Sequence, residues 1–148
     1  MTAVLADTNL LVYAHDPADA EKQQRAIDVL HQLHATGAGR LSAQSLAEFF
    51  AATTRGKTPL LSVAEASKQL ANLTASWIVL DITPQIVTEA ARGVRSHMLS
   101  YWDAQLWATA RLNQIPVIFT EDFNVGATLE GIRFVSPFDG AFRLHDWQ

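Results

Sequence analysis

Three apolar runs constrain the fold most: Ala3-Val4-Leu5-Ala6, Trp77-Ile78-Val79-Leu80 and Ile115-Pro116-Val117-Ile118-Phe119. Each is too short for a buried helix. None alternates with polar residues as a strand with one wet face would. The first and third read as buried strands and the second as strand-like, and buried continuous apolar strands are the situation of a parallel sheet covered by helices.

The segments between them supply those helices. Leu10-Leu11-Val12-Tyr13-Ala14 reads as a short helix started by Asp7-Thr8-Asn9 and broken at Asp16-Pro17. Helical spacing of apolar residues runs from Asp19 to Ala35 and ends at Gly37 and Gly39. Further helices are expected over Ser42–Thr54, from Ser62 to about Leu73, from Thr83-Pro84 to His97, and from Ser100 through Leu112. Arg40-Leu41 and Arg133-Phe134-Val135 read as brief additional strands. The expectation is one α/β domain over residues 1–148, with a central, mostly parallel sheet of four to five short strands flanked by helices. No repeat, linker or low-complexity tract divides it.

Composition narrows the function. With no cysteine, the chain holds no disulfide framework and no thiolate zinc site. Met1 is followed by neither a basic region nor a long apolar stretch, so neither a secretory signal nor a membrane span is expected, and the expected location is cytoplasmic. A formal net charge of −4 argues against a binder that coats nucleic acid with a basic surface. It leaves a nuclease open, because four clustered carboxylates would account for the excess and divalent cations would offset them locally.

Those four carboxylates are Asp7, Glu48, Asp103 and Asp122. Asp7 follows the first strand and Asp122 follows a later central one, so both lie beyond the carboxyl edge of the sheet, where ligands bind in open α/β folds. Glu48 and Asp103 fall near the starts of helices that share this rim. Each has a structural explanation too. Ser45…Glu48 and Ser100…Asp103 match capping boxes, Asp7 suits a helix cap, and Asp122-Phe123-Asn124 suits an Asx turn. Taken together, acids beside strongly apolar segments are costly unless a cation joins them. An oxygen-only donor set favours Mg²⁺ or Mn²⁺ over zinc, and such a centre suits phosphodiester hydrolysis.

The ordered set Asp7-Thr8-Asn9, Gln44…Glu48-Phe49, Ser100-Tyr101-Trp102-Asp103-Ala104, Thr120-Glu121-Asp122-Phe123-Asn124-Val125-Gly126 and Phe134-Val135-Ser136-Pro137-Phe138 resembles the PIN-domain family along nearly the whole chain. The likeness is nearest to VapC-like ribonuclease toxins of toxin–antitoxin pairs. The resemblance implies an endoribonuclease whose Mg²⁺ or Mn²⁺ is held by Asp7, Glu48, Asp103 and Asp122, with Asn9 and Thr120 orienting these acids. It also implies a homodimer and a small antitoxin protein whose segment fills the active groove. Asn124 stands where some relatives carry a further acid. Glu121 is expected to point away from Asp122 if strand alternation persists.

Other residues divide between surface and core. His31 and His34 are expected on a solvated helix face, with no third ligand nearby in sequence. His15 and His97 lie near the expected rim, as do Arg92 and Arg95; Arg55 and Lys57 end the Glu48 helix. Trp107 is expected in the core, and Trp102 is a candidate stacking surface for bases. Leu46–Phe50 and Leu61–Leu73 read as core or as apolar surface for a partner. Three alternatives remain open: a PIN-like RNA-processing nuclease without an antitoxin, a phospho-receiver domain, and a nuclease-dead binding module. The receiver is disfavoured because none of the three Lys follows a late strand, and the dead module because all four acids are present.

Overall fold

A computed structural model describes all 148 residues, Met1 to Gln148. In chain order the elements are β1 (Val4–Ala6), α1 (Thr8–Tyr13), α2 (Ala20–Thr36), β2 (Gly39–Ser42), α3 (Ala43–Thr54), α4 (Val63–Ser76), β3 (Ile78–Leu80), α5 (Pro84–His97), α6 (Tyr101–Leu112), β4 (Val117–Phe119), β5 (Thr128–Leu129) and β6 (Ile132–Val135), then a 3₁₀ turn at Leu144–Trp147. The strands form one sheet of order β3-β2-β1-β4-β6-β5. All pairings are parallel except β5 with β6. From β1 the chain first adds strands on one side, then returns to add β4 and β6 on the other. The order therefore reverses between β1 and β4, and a crevice opens beyond their carboxyl ends.

Period-two alternation divides the apolar side chains between two cores. Leu5, Ile118 and Phe134 face α5 and α6, where they pack with Ala90, Trp107 and Ala104. Val4, Ala6, Val117 and Phe119 face the opposite layer and meet Leu10, Leu33 and Phe49. Strands β1 and β4 are buried along their whole length, which is why both read as unbroken apolar runs.

Helix starts are marked by side-chain caps at Asp7, Asp19, Ser42, Ser62, Thr83 and Ser100. Ser62 and Glu65 complete a reciprocal capping box, and Pro84 opens α5.

The sheet has six strands, more than the four to five expected. The addition is β5, two residues long, which pairs Leu129 with Ile132 across a two-residue turn. Glu130 and Gly131 hold that turn at φ of 49° and 84°, the paired positive angles of a type I′ hairpin.

Helices α5 and α6 pack closely at Gly93, where an added Cβ would stand 2.8 Å from the Trp107 ring. Gly93→Val should therefore lower stability by about 2 kcal/mol, read as a reduced midpoint in urea unfolding followed by tryptophan fluorescence. An unchanged midpoint would mean that this helix contact yields freely.

Candidate functional site

The crevice between β1 and β4 is built from backbone outward. The Asp7 amide donates to the Phe119 carbonyl (2.9 Å), so the two strand ends stay paired where they diverge. Asp7 then caps α1: its Oδ1 accepts the Thr8 amide (2.7 Å) and its Oδ2 accepts the Thr120 hydroxyl (2.8 Å). Thr120 is wholly buried. Its hydroxyl oxygen also receives the Asp122 amide (3.2 Å), which turns the chain as it leaves β4. From the other side Asn9 Nδ2 donates to Asp122 Oδ2 (3.0 Å). The Asx turn expected at Asp122 does not form: no Asn124 amide bond to its carboxylate is present, the chain turns on the Thr120 hydroxyl just before it, and Asp122 Oδ2 accepts from Asn9.

The capping box expected at Ser45–Glu48 does not form. The cap of α3 is Ser42, whose hydroxyl accepts the Ser45 amide (3.2 Å), while the Ser45 side chain is buried. Glu48 is consequently on the second turn, where its Oε1 accepts from the Thr8 hydroxyl (2.9 Å) and from Gln44 Nε2 (3.3 Å). At α6 the Ser100 hydroxyl does accept the Asp103 amide (3.3 Å), and Asp103 sits in the first turn.

These placements bring the four acids into one electrostatically connected set. Burial raises the Asp7 carboxyl to about 6; the Thr120 and Thr8 hydrogen bonds oppose this, and the charges of Asp122 and Glu48 add to it. Asp103 is also raised, chiefly by burial, with the Ser100 hydrogen bond opposing and the Asp122 charge adding. Asp122 thus faces both Asp7 and Asp103, and Glu48 faces Asp7. None of the four belongs to any of the six ion pairs in the molecule.

A divalent cation fits this donor set. No three acidic or histidine side chains close on one point as a finished cage, but Mg²⁺ keeps several waters and needs only one or two carboxylates. The charges lack a basic partner, every donor is oxygen, and the buried Asn9 Oδ1 has no hydrogen-bond partner. Asp7, Glu48, Asp103 and Asp122 are the residues that could hold it.

Several neighbours have other roles. Glu121 turns to Tyr13 and forms an ion pair with Lys22 (2.6 Å). Asn124 adopts a left-handed backbone (φ 50°), and its carbonyl accepts the Ala127 amide. His97 and Arg92 both bind Glu130, on the β5–β6 turn. His15 packs on Phe49, and burial lowers its pKa. His31 and His34 are exposed, and Trp107 is buried in the core. Thr8 and Gln44 stand within the family-like motifs of the sequence but were given no role there, and Gln105 was not singled out. Gln44 lies four residues before Glu48 on the same helix, and this spacing was the available signal.

The family model described as the PIN domain matches residues 4–128. The chain belongs to the PIN-domain family. Searched by sequence, it matches no curated protein. Its fold is similar to those of several solved structures. VapC20 of Mycobacterium tuberculosis, described as a sarcin–ricin loop cleaving toxin, is 18% identical with a TM-score of 0.63, over 81% of this chain and 90% of that one. The DNA-bound VapBC complex of Salmonella typhimurium is 15% identical with a TM-score of 0.66, over 93% of this chain and 99% of that chain. A toxin–antitoxin complex of Klebsiella pneumoniae is 18% identical with a TM-score of 0.63, over 93% and 99%.

The raised Asp7 makes this PIN domain's stability depend on pH. An acid whose folded pKa exceeds its unfolded value costs nothing below the unfolded value and its full penalty above the folded one. Asp7 should add a downward slope to the stability of the metal-free protein between about pH 4 and about 6, against the rise that Glu65, Glu89 and Glu130, all held below the usual range, give at the acid end. Asp7→Asn should flatten that slope and stabilise the metal-free protein at pH 7 by about 1–3 kcal/mol. Thermal unfolding in EDTA across this range checks it. A variant whose pH profile runs parallel to that of wild type would contradict the assigned burial.

Proposed function

We propose that this PIN domain is an endoribonuclease that uses Mg²⁺ or Mn²⁺ to hydrolyse RNA phosphodiester bonds, as the toxin of a toxin–antitoxin pair. What supports the reading is that Asp7 lies within charge range of Glu48 and Asp122, and Asp122 within range of Asp103, at the sheet's switch point, and that none of the four has a basic partner. Similarity in fold to VapC20 and to VapBC complexes supports the toxin assignment.

The four carboxylates would hold the cation. When bound, it lowers the pKa of water in its shell and neutralises charge building on the phosphate. The protein's part is orientation. Thr120 and the Thr8 amide fix both oxygens of Asp7, Asn9 tethers Asp122, and the Thr8 hydroxyl steadies Glu48. Such support of ligating carboxylates commonly governs metal affinity.

RNA would be held partly by stacking. Trp102, 61% exposed, adjoins Asp103 and rests edge-on against Tyr101, leaving a face to a base. Arg95, Arg55 and Lys57 are exposed and outside every ion pair, so they are free to meet phosphates, whereas Arg92 is bound to Glu89 and Glu130. A small antitoxin protein is the proposed partner, a homodimer the proposed assembly, and the cytoplasm the proposed location. No helix is long and apolar enough to cross a membrane.

Purified protein should cleave RNA with Mg²⁺ or Mn²⁺, and excess EDTA should abolish cleavage. Asp7→Asn and Asp103→Asn should each reduce the rate by about 100-fold or more. Full activity in either variant would remove that residue from the site. Trp102→Ala should raise KM for RNA about tenfold with little change in kcat. An unchanged KM would place Trp102 outside the substrate path.

A further inference from the structure

A buried chain of side-chain hydrogen bonds joins α3 to α6 behind the acids. Gln44 and Gln105 are 7% and 4% exposed, and 61 residues separate them in sequence. The Tyr101 hydroxyl donates to Gln105 Oε1 (2.8 Å), and Gln105 Nε2 donates to Gln44 Oε1 (2.9 Å). Gln44 Nε2 donates to the Trp102 carbonyl (3.1 Å) and to Glu48 Oε1 (3.3 Å).

The direction of this chain is determined. Turning the Gln44 amide over would set its oxygen against both the Glu48 carboxylate and the Trp102 carbonyl, and its NH₂ against that of Gln105. Turning Gln105 over instead would set its oxygen against the Gln44 oxygen. Every side-chain donor in the run is directed along it towards Glu48, so the run ends on a carboxylate oxygen as acceptor. The same amide holds the backbone one residue before Asp103. One side chain therefore sets where Glu48 of α3 stands relative to the α6 turn that carries Asp103. Glu48 needs such a guide because it is exposed, and a free glutamate loses much rotamer freedom when it is fixed.

We propose that the Gln44–Gln105 amide pair is a positioning device for Glu48 that sets the affinity of the acidic crevice for a divalent cation. This rests on the reading that the four acids hold that cation. The pair touches neither metal nor substrate. It prepays the ordering of Glu48, and its loss should weaken metal binding without unfolding the chain.

The test is Mn²⁺ binding to the metal-free full chain, by titration calorimetry, alongside thermal unfolding in EDTA. Gln44→Met with Gln105→Met removes both amides at similar volume and leaves neither partner stranded. The double variant should bind Mn²⁺ about tenfold more weakly, with a metal-free Tm within a few degrees of wild type. Glu48→Gln should weaken binding too, and adding the amide pair to it should cost nothing further, because the pair acts through Glu48. Gln105→Met alone should give a smaller loss in the same direction and replaces the double variant if that fails to fold. Wild-type affinity in the amide variants, or full additivity with Glu48→Gln, overturns the proposal while leaving the four-acid site intact. A wild-type chain that binds no Mn²⁺ overturns both.

Discussion

Burial of the Asp7 carboxyl at the end of β1, with further carboxylates beside it and no basic partner, is the constraint on which the rest of this structure turns. Elsewhere the chain neutralises its partly buried acids. Glu89 is shared by Arg92 and Arg111, Glu130 by Arg92 and His97, and Glu121 by Lys22. The crevice acids receive hydrogen bonds from neutral donors instead: the Thr8 amide and hydroxyl, Thr120, Asn9 and Gln44. Neutral donors orient a carboxylate without cancelling its charge, which suits the proposed cation. Burial of Asp7 works against the fold when that carboxyl is ionised, as expected of a trade between stability and function.

The sheet makes that arrangement rigid. Because β1 and β4 are buried on both faces, the ends that carry Asp7 and Thr120 are gripped by two cores at once. The reversal of strand order between them leaves no crossover helix to fill the crevice. Helix α1 follows Asp7 directly, so one tight turn supplies the cap, the Thr8 donors and Asn9. Asp122 follows β4, Asp103 comes from the first turn of α6 and Glu48 from the second turn of α3, and the buried glutamines couple those two helices across the rim.

Most of the fold was legible in sequence because it is written in local pattern. The apolar runs ending at Ala6, Leu80 and Phe119 marked strands, and the caps at Asp7, Ser62 and Ser100 marked helix starts. Strand β5 was not legible. Two residues carry no alternation, and its turn uses Glu130-Gly131 where Asn-Gly would have announced the hairpin. The choice of Ser42 over Ser45 as the α3 cap was also hidden. It depends on where β2 stops, which Ser42 settles by pairing with Leu80 of β3. For the candidate site, the four acids and the orienting roles of Asn9 and Thr120 were expected, the latter through family resemblance. The Gln44–Gln105 contact was not, since nothing local couples residues on separate helices. Thr8 was hidden for the same reason: its hydroxyl meets Glu48 only once α1 and α3 have packed together.

The central claim is that Asp7, Glu48, Asp103 and Asp122 together hold a divalent cation. The most direct measurement is a crystal soaked in Mn²⁺, with anomalous scattering used to place the metal. The account predicts a strong peak in the crevice between β1 and β4, within coordination distance of at least one of these carboxylates. A crevice without a peak at millimolar Mn²⁺, or with Mn²⁺ bound only elsewhere on the surface, would contradict it.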